Sequence, residues 1–484
     1  MSAEQRSRLR LLLFGRICGL LTCAFIAAVA VGCASFPLEP YSKIVRDTDA
    51  RTLAVRDNLR SAVECTSNAS REPTQTALHT DRDAARPLNR AAATPARSQA
   101  QIKPQLEALW RPSFGPSRWA NYNGLLATRF SQLDTVPGPA FRPGMLVVQH
   151  LGEETRVPYI AAFHTGKRLP LVVGCSGING TVDGKITVDI LQHLYDTGDF
   201  HVVHVESVTS VPHQVRNQRP FGGGFPEGLL LYECVAELRS MREFADEIDQ
   251  VHILGNSFGG LLSGLAAHCE DEFREGVIDG AVLAFSPPLD LKTLFDNIAV
   301  RPIIHDRIHV SYLEDGYARM KNYIAFGPRN KDPKQLDFDD YFRTIAVPYA
   351  QSIYPELHAK FPDLPPLRNA DDVYAISSMR PFLGRLGVPF FYVYAYDDPV
   401  LSPGDHFHHA LVDCPNPLVD GILLKDGGHL GFDTLSDNFT ALVAERYFRY
   451  WSVSLSRGAS SMPSFRRATS EIGTHIALEY GPVE

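Results

Sequence analysis

Residues 251–260 read VHILGNSFGG, an apolar run that passes directly into a glycine-rich turn. Gly255, Ser257 and Gly259 form the G-x-S-x-G pattern, in which small residues let a strand bend sharply into a helix and leave the serine hydroxyl at the bend. The run after the turn, LLSGLAAHCEDEF, is typical of a helix. A chance match is the alternative, because the chain contains 36 glycines. The strand before the motif and the helix after it favour Ser257 as a nucleophile.

A serine nucleophile needs a base and an acid that orients the base, and the chain carries candidates for both downstream of the turn. His429 lies in residues 424–432, LKDGGHLGF, where two glycines after an apolar run indicate a loop at a strand end. Residues 389–403, PFFYVYAYDDPVLSP, read as a buried strand that ends in Asp397 and Asp398. The spacing between the aspartates and the histidine leaves room for one helix and one strand.

These motifs resemble those of α/β-hydrolases, in particular the YheT-like (embryogenesis-associated) esterase branch. The resemblance covers roughly residues 111–451 and rests on GNSFGG, on SPPLDL at 286–291, on DDVYAISSMRPFLGRLGVPFFYVYAYDDP at 371–399 and on GGHLGF at 427–432. It implies an α/β-hydrolase fold, in which a doubly wound, mostly parallel sheet carries a helical cap insertion. It also implies a serine esterase whose substrate is a small-molecule carboxylic ester and which needs no cofactor.

The segment SGINGT at 176–181 stands where this branch carries an HGLEGS-like oxyanion loop. Its two glycines fit that pattern, but Ser176 replaces the histidine of the family. Because an oxyanion hole uses backbone N–H groups, the departure leaves the loop's role possible. The resemblance assigns the two oxyanion donors to the amides of Ile178 and Phe258.

The choice of the triad acid stays open between two neighbours. Successive residues of a strand point to opposite faces, so Asp397 and Asp398 cannot both face His429. In related hydrolases the acid often directly precedes a proline, and Asp398 precedes Pro399. The resemblance therefore favours a triad of Ser257, Asp398 and His429.

Alternating strand-like and helix-like runs across the rest of this region imply a mostly parallel sheet that is covered on both faces. Strands are predicted at 145–148, 159–163, 169–173, 200–205, 251–254, 281–285, 390–395 and 421–424, and helices at 186–194, 227–248 and 439–451. Between residues 292 and 368 the alternation stops and aromatic residues accumulate, which predicts the cap. The hydrolase domain is predicted at 105–453 and a C-terminal tail at 454–484.

The N-terminal residues have the layout of a secretory signal. Arginines at positions 6, 8 and 10 precede an apolar stretch, 17–31, that ends in small side chains. Ala30-Val31-Gly32-Cys33 resembles a bacterial lipobox, which predicts a signal peptide at 1–32 and lipidation of Cys33. A transmembrane anchor is the alternative, but Arg16 would interrupt it at a cost of a few kcal/mol.

Two further features of the N-terminal region complete this prediction. Ala34 follows the cysteine, where an aspartate would resemble an inner-membrane retention signal, so we expect an outer-membrane lipoprotein that faces the periplasm. Residues 33–104 are predicted to be the lipidated N-terminus and a tether, because 66–100 contain no aromatic residue and are rich in Ala, Arg, Thr and Pro.

Charge and composition restrict the other classes of function. The chain has 44% hydrophobic residues and 21% charged residues, which is ordinary for a globular protein, and its formal net charge of −8 gives no support to nucleic-acid binding. Removal of the signal and lipidation of Cys33 would leave five cysteines, an odd number that is not a disulfide framework. The sequence leaves the oligomeric state open.

Two alternatives to a serine hydrolase need to be weighed: a metal site formed by histidines and a non-catalytic binding protein. The histidines of DHFHHA at 405–410 are expected on a surface helix, and no carboxylate at a motif spacing accompanies them. The pair His305 and His309 also lacks such a carboxylate. No metal site is therefore predicted. A non-catalytic lipoprotein that binds a hydrophobic ligand on a hydrolase scaffold is the second hypothesis. Such a protein has no physical need for an intact set of serine, aspartate and histidine.

Overall fold

Eight strands form a single sheet in the computed structural model, which describes residues 99–111, 137–178, 180–220, 223–299, 338–402, 406–407 and 414–456. All of these residues belong to one unit of the chain, Asp83–Glu484. The strands are β1 (Arg142–His150), β2 (Glu153–Ala162), β3 (Leu169–Cys175), β4 (His201–Val205), β5 (Ile248–Asn256), β6 (Val282–Phe285), β7 (Phe390–Ala395) and β8 (Val419–Leu424).

The order of the strands in the sheet is β1-β2-β4-β3-β5-β6-β7-β8. The hairpin of β1 and β2 is antiparallel, and β2 is antiparallel to β4. All other neighbouring strands are parallel. From β3 onwards every strand therefore ends at the same edge of the sheet. The predicted doubly wound, mostly parallel sheet is confirmed.

Helices lie between successive strands from β3 to β7, and others precede β1 or follow β8. They are α1 (Gln99–Glu107), α2 (Lys185–Asp196), α3 (Val211–Asn217), α4 (Phe225–Ser240), α5 (Phe258–Phe273), α6 (Leu291–Ala299), α7 (Phe338–Tyr341), α8 (Val347–Ser352), α9 (Tyr354–Lys360), α10 (Ala370–Ser377), α11 (Phe432–Leu435) and α12 (Phe439–Ser456). A π-helical turn, Phe342–Ala346, joins α7 to α8.

The core divides into two apolar layers, one on each face of the sheet. One layer contains the buried faces of α4 and α5, and the other contains those of α2 and α12. The central strands are buried on both faces, and every residue of β4 and β7 is inaccessible to solvent. A strand buried on both faces reads as a continuous apolar run, as β7 does, whereas β4 carries two histidines among its valines.

The helix predicted at 227–248 is too long by eight residues. In the structure, α4 ends at Ser240 and Met241 leaves the helical region of backbone conformation, with ψ 122°. Ile248 already belongs to β5 and pairs with Leu169 of β3. The intervening residues 241–247 form turns closed by backbone hydrogen bonds to Met241 and Phe244, and the pairing with β3 determined where the strand begins.

The described part of the predicted cap is helical and comprises α6 to α9. Its described aromatic side chains pack into the apolar layer that also holds α4 and α5: Phe342 contacts Phe295 and, outside the cap, Tyr374 of α10, with ring centroids 4.9 and 4.6 Å apart. Tyr341 and Phe342 are each only 1% exposed. These aromatic residues therefore stabilise the packing of the cap against the rest of the domain.

Several predictions concern residues that lie outside the described ranges. They are the signal peptide at 1–32, Cys33, most of the tether, the central part of the cap at 300–337 and almost all of the tail at 454–484. In the part of the chain that the structure describes, no helix combines the length and the apolar character needed to cross a membrane.

Candidate active site

The carboxyl edge of the parallel strands collects the candidate residues. Asn256 at the end of β5 pairs with Phe285 at the end of β6, and Ala395 of β7 pairs with Leu424 of β8. Ser257 follows β5 directly, the two aspartates follow β7 within three residues, and His429 follows β8 within five. Residues far apart in the sequence meet here because parallel strands end at a common edge.

The turn at Ser257 has a strained backbone. Ser257 has φ 51° and ψ −124°, a conformation that residues with a side chain rarely adopt, and it is followed directly by α5. The N–H of Ser257 donates to the carbonyl of Phe285 at 2.8 Å, which fixes the turn to β6. A Cβ added at Gly259 would lie 2.3 Å from the carbonyl oxygen of Cys175. Glycine at 259 is therefore needed for α5 to approach the end of β3.

His429 lies between the serine and one aspartate. Its Nε2 is 2.7 Å from the Oγ of Ser257, and its Nδ1 is 2.9 Å from Oδ2 of Asp398. An ionised carboxylate only accepts hydrogen bonds, so Nδ1 carries the proton that Asp398 accepts. In the neutral ring Nε2 is then an acceptor, and the hydroxyl of Ser257 donates to it. This is the proton arrangement that a general base requires.

Asp398 is fully buried and yet stays ionised. Burial favours the neutral acid, but the contact with His429 and the N–H groups of Val400 and Leu401 outweigh it and hold the pKa of Asp398 below its usual range. Those two amides donate to Oδ1 at 2.7 and 3.0 Å, so Oδ2 is left to face His429. A carboxylate held in this way orients the imidazole.

Asp397 has a different environment from its neighbour. Its Oδ1 accepts the N–H of Gly428 at 2.7 Å, and its Oδ2 is buried without a hydrogen-bond partner. Burial first, and then the charges of Asp426 and Asp398, raise the pKa of Asp397 to about 7, although the bond from Gly428 opposes this rise. The side chain of Asp397 thus holds the residue before His429 and does not contact the imidazole itself.

The loop after β3, of which residues 176–178 and 180–181 are described, lies directly against the serine. We call it the β3 loop. A Cβ added at Gly177 would be 3.1 Å from the Cβ of Ser257 and 3.5 Å from its Oγ. The predicted oxyanion residue Ile178 follows Gly177 in this loop, and the other, Phe258, is the first residue of α5. Both predicted donors therefore belong to segments that adjoin Ser257.

The sequence analysis missed the polar side chains behind the β3 loop. Thr187 of α2 and His204 of β4 are both buried and both bind the hydroxyl of Ser176. The pattern HVVHV of β4 could have indicated this role for His204, because a titratable residue in a strand buried on both faces needs a hydrogen-bond partner.

Within the residues that the structure describes, no group of three or more His, Cys, Asp or Glu side chains comes together as a metal site would require. His406 was expected on a surface helix, and this expectation was wrong. His406 is fully buried, and its Nδ1 accepts the N–H of Leu289 at 3.2 Å. His305, His309 and the other two histidines of DHFHHA lie outside the described residues.

The strand order, the strained serine between β5 and α5, and the acid and histidine that follow β7 and β8 define an α/β-hydrolase fold. No family model matches the chain. A candidate esterase of Synechocystis sp. is 27% identical to it over 159 residues, a match that covers 32% of this chain and 38% of that protein. The matched region thus spans less than half the length of that relative.

Solved structures with a similar arrangement include an acylaminoacyl peptidase of Pyrococcus horikoshii, with 12% identity and a TM-score of 0.41, which covers 71% of this chain and 45% of the peptidase. An esterase of Pyrococcus furiosus has 12% identity and a TM-score of 0.39, covering 66% of this chain and 95% of the esterase. A 2,6-dihydroxy-pseudo-oxynicotine hydrolase has 14% identity and a TM-score of 0.41, covering 71% and 75%.

Proposed function

We propose that this protein is a serine hydrolase that cleaves carboxylic esters through Ser257, His429 and Asp398. The observation that carries the proposal is the continuous hydrogen-bonded chain from the Oγ of Ser257 through both nitrogens of His429 to a buried, ionised Asp398. A strained serine at the end of a strand holds its hydroxyl toward this base. The esterase name of the Synechocystis relative agrees with this chemistry.

The reaction proceeds in two half-reactions. Ser257 Oγ attacks the ester carbonyl carbon as His429 Nε2 takes the hydroxyl proton, and the carbonyl oxygen becomes an oxyanion. When that intermediate collapses, the C–O bond to the alcohol breaks and His429 returns the proton to the alcohol. Water, deprotonated by His429, then attacks the acyl-enzyme and releases the carboxylic acid. Ser257 regains its proton.

The oxyanion of each half-reaction would accept hydrogen bonds from the amides of Ile178 and Phe258. The position of Gly177 supports this assignment, because it places the β3 loop against the Oγ of Ser257. Loss of one such donor typically costs about a hundred- to a thousand-fold in kcat. The amide of Phe258 also stands at the N-terminus of α5, where the helix dipole favours negative charge.

A fluorophosphonate probe tests the nucleophile directly. The probe should label the purified protein at Ser257, and Ser257→Ala should abolish labelling. Labelling that persists in Ser257→Ala would disprove the assignment. A folded wild-type protein that neither reacts with the probe nor hydrolyses any ester of a p-nitrophenyl series would favour a binding protein on a hydrolase scaffold.

The proposed substrates are esters with apolar, lipid-like acyl chains. The proposed anchor at Cys33 supports this choice, because two or three acyl chains would hold the enzyme stably at the outer membrane. In a p-nitrophenyl series from acetyl to palmitoyl, kcat/KM should rise toward medium or longer chains. A steady fall beyond acetyl would replace this proposal with a hydrolase of small esters.

Lipidation at Cys33 has its own test. Cys33→Ser should release the protein from the membrane fraction or leave an uncleaved precursor. A mature, membrane-bound Cys33→Ser protein would exclude the lipobox and require another form of attachment.

A further inference from the structure

Four buried polar side chains form a continuous row behind the β3 loop. Asn256 Nδ2 is 2.9 Å from Oγ1 of Thr187, which is 2.8 Å from Oγ of Ser176, and that oxygen is 2.9 Å from Nε2 of His204. The Nδ1 of His204 is 2.8 Å from the carbonyl oxygen of Val182. We call Asn256, Thr187, Ser176 and His204 the Ser176 network. None of its members is more than 6% exposed.

The direction of each hydrogen bond in the network follows from its two ends. The carbonyl of Val182 only accepts, so Nδ1 of His204 carries a proton. Burial lowers the pKa of His204 to about 4, so near neutral pH the ring is uncharged and Nε2 accepts. Ser176 must then donate to His204, and Thr187 donates to Ser176. The amide of Asn256 donates to Thr187, so each hydroxyl accepts one bond and donates one.

Two members of the network, Asn256 and Ser176, lie next to residues that contact or include the proposed nucleophile. Asn256 directly precedes Ser257, and Ser176 directly precedes Gly177, the residue that lies against the Oγ of Ser257. The network therefore ties the end of β5 to the β3 loop through the side chain of Thr187, which belongs to α2. It fixes the distance between the nucleophile and the loop that carries the amide of Ile178.

Space beside Ser176 explains why glycines stand at 180 and 184. A Cβ added at Gly180 would lie 2.2 Å from the Cβ of Ser176, and one added at Gly184 would lie 3.0 Å from its Oγ. The loop therefore closes tightly around Ser176, whose hydroxyl binds the imidazole of His204 on β4.

We infer that the Ser176 network positions the β3 loop for oxyanion stabilisation, and that Ser176, Thr187 and His204 are positioning residues for the hydrolysis proposed above. This inference rests on the proposed function. An oxyanion hole acts on the transition state more than on the bound ester, so loosening the network should lower kcat and leave KM nearly unchanged. A small misplacement of such a group costs up to about a hundred-fold in rate.

The test compares two substitutions of one residue, with p-nitrophenyl butyrate as substrate. Thr187→Val keeps the volume and removes the hydroxyl, whereas Thr187→Ser keeps the hydroxyl and removes a methyl group. Thr187→Val should lower kcat about ten- to a hundred-fold with KM within twofold, and Thr187→Ser should stay within threefold of the wild type. Equal losses in the two variants would assign Thr187 to packing and overturn the inference.

Two further variants extend the test to the other members. Ser176→Ala should lower kcat as Thr187→Val does, and His204→Gln should lower it too, because glutamine cannot both accept from Ser176 and donate to Val182 with the geometry of an imidazole. Circular dichroism and urea unfolding confirm that each variant is folded. If Ser176→Ala does not fold, the pair at Thr187 still decides.

His252→Gln is the matched control for His204→Gln. His252 is also fully buried and neutral, on β5, and both ring nitrogens are bonded, one by the N–H of Ala281 and the other to Ser452. The His252→Gln variant should be less stable than the wild type but keep kcat within threefold. A loss of kcat equal to that of His204→Gln would overturn the inference. If the wild type shows no ester turnover that depends on Ser257, the proposed function itself fails. The kinetics of the network variants alone would not show that failure, so the two outcomes are distinguishable.

Discussion

The ends of two neighbouring strands carry two serines with similar backbone strain and different surroundings. Ser257 after β5 has φ 51°, and Ser286 after β6 has φ 47°. The hydroxyl of Ser257 is bonded to His429, whereas the hydroxyl of Ser286 is buried and has no hydrogen-bond partner among the described residues. A strained serine at a strand end is thus not enough to place its hydroxyl against a base. The loop after β8 supplies a base to only one of the two.

The residues that come after the two serines differ as well. Glycines at 259 and 260 follow Ser257 closely and allow α5 to begin at once, while Pro287 and Pro288 follow Ser286. The N–H of Ser286 donates to the carbonyl of Val393 at 2.8 Å, and the hydroxyl of Tyr394 donates to the carbonyl of Pro287. The end of β6 is therefore fixed to β7, whereas the end of β5 presents its side chain to the site.

The largest expected effect comes from removing each hydroxyl in turn. Ser257→Ala should reduce ester turnover by about a million-fold, close to the background rate, because the nucleophile and its hydrogen bond to the base are both lost. Ser286→Ala should keep turnover within threefold. Initial rates with p-nitrophenyl butyrate measure both. A comparable loss in Ser286→Ala would show that the second serine also takes part in the reaction.

The next largest effect is expected at Asp398, the carboxylate that binds the histidine next to Ser257. Asp398→Asn should lower kcat about 10⁴-fold, because an amide in place of the carboxylate no longer holds the His429 tautomer that leaves Nε2 free to accept. Asp397→Asn keeps an oxygen for the N–H of Gly428 and should lose less than about tenfold. Steady-state kinetics of the two variants decide between the acids, and a larger loss at Asp397 would reverse the assignment.

The two aspartates should also differ in how they couple stability to pH. Asp397 has a folded pKa of about 7 and an unfolded pKa near 3.9. A raised pKa gives stability that is present below about pH 4 and is lost as the pH rises through 7. Asparagine does not titrate, so the stability of Asp397→Asn relative to the wild type should increase by ~3 kcal/mol from pH 4.5 to pH 8. Urea unfolding at both pH values measures this, and a pH-independent difference would contradict it.

The smallest effect tests the strain that the two serines share. Ser286→Gly removes a positive φ from a residue with a side chain and a buried hydroxyl without a partner, and it should raise the free energy of unfolding by about 1 kcal/mol. Turnover should stay unchanged. Ser257→Gly should gain less stability, because it also loses the hydrogen bond to His429, and it should lose all activity. Destabilisation by Ser286→Gly in urea unfolding would mean that packing of the side chain outweighs the strain.

The sequence by itself determined the features that depend on local chemistry. The glycines around Ser257 mark the turn because only they fit where α5 approaches the end of β3. The continuous apolar run of β7 predicted that strand because both of its faces are buried. The order of serine, aspartate and histidine followed from motifs that each need only a strand end and a short loop.

Only the tertiary structure decided between neighbours and revealed partners from distant parts of the chain. Asp397 and Asp398 are chemically identical, and their pKa values differ because burial dominates at Asp397, whereas the contact with His429 and two backbone amides outweigh burial at Asp398. His204 and Thr187 reach the hydroxyl of Ser176 only because β4 and α2 bring them there, and Nδ1 of His406 accepts the N–H of Leu289 from a distant part of the chain. Such contacts join residues far apart in sequence, and no local pattern encodes which of them will meet.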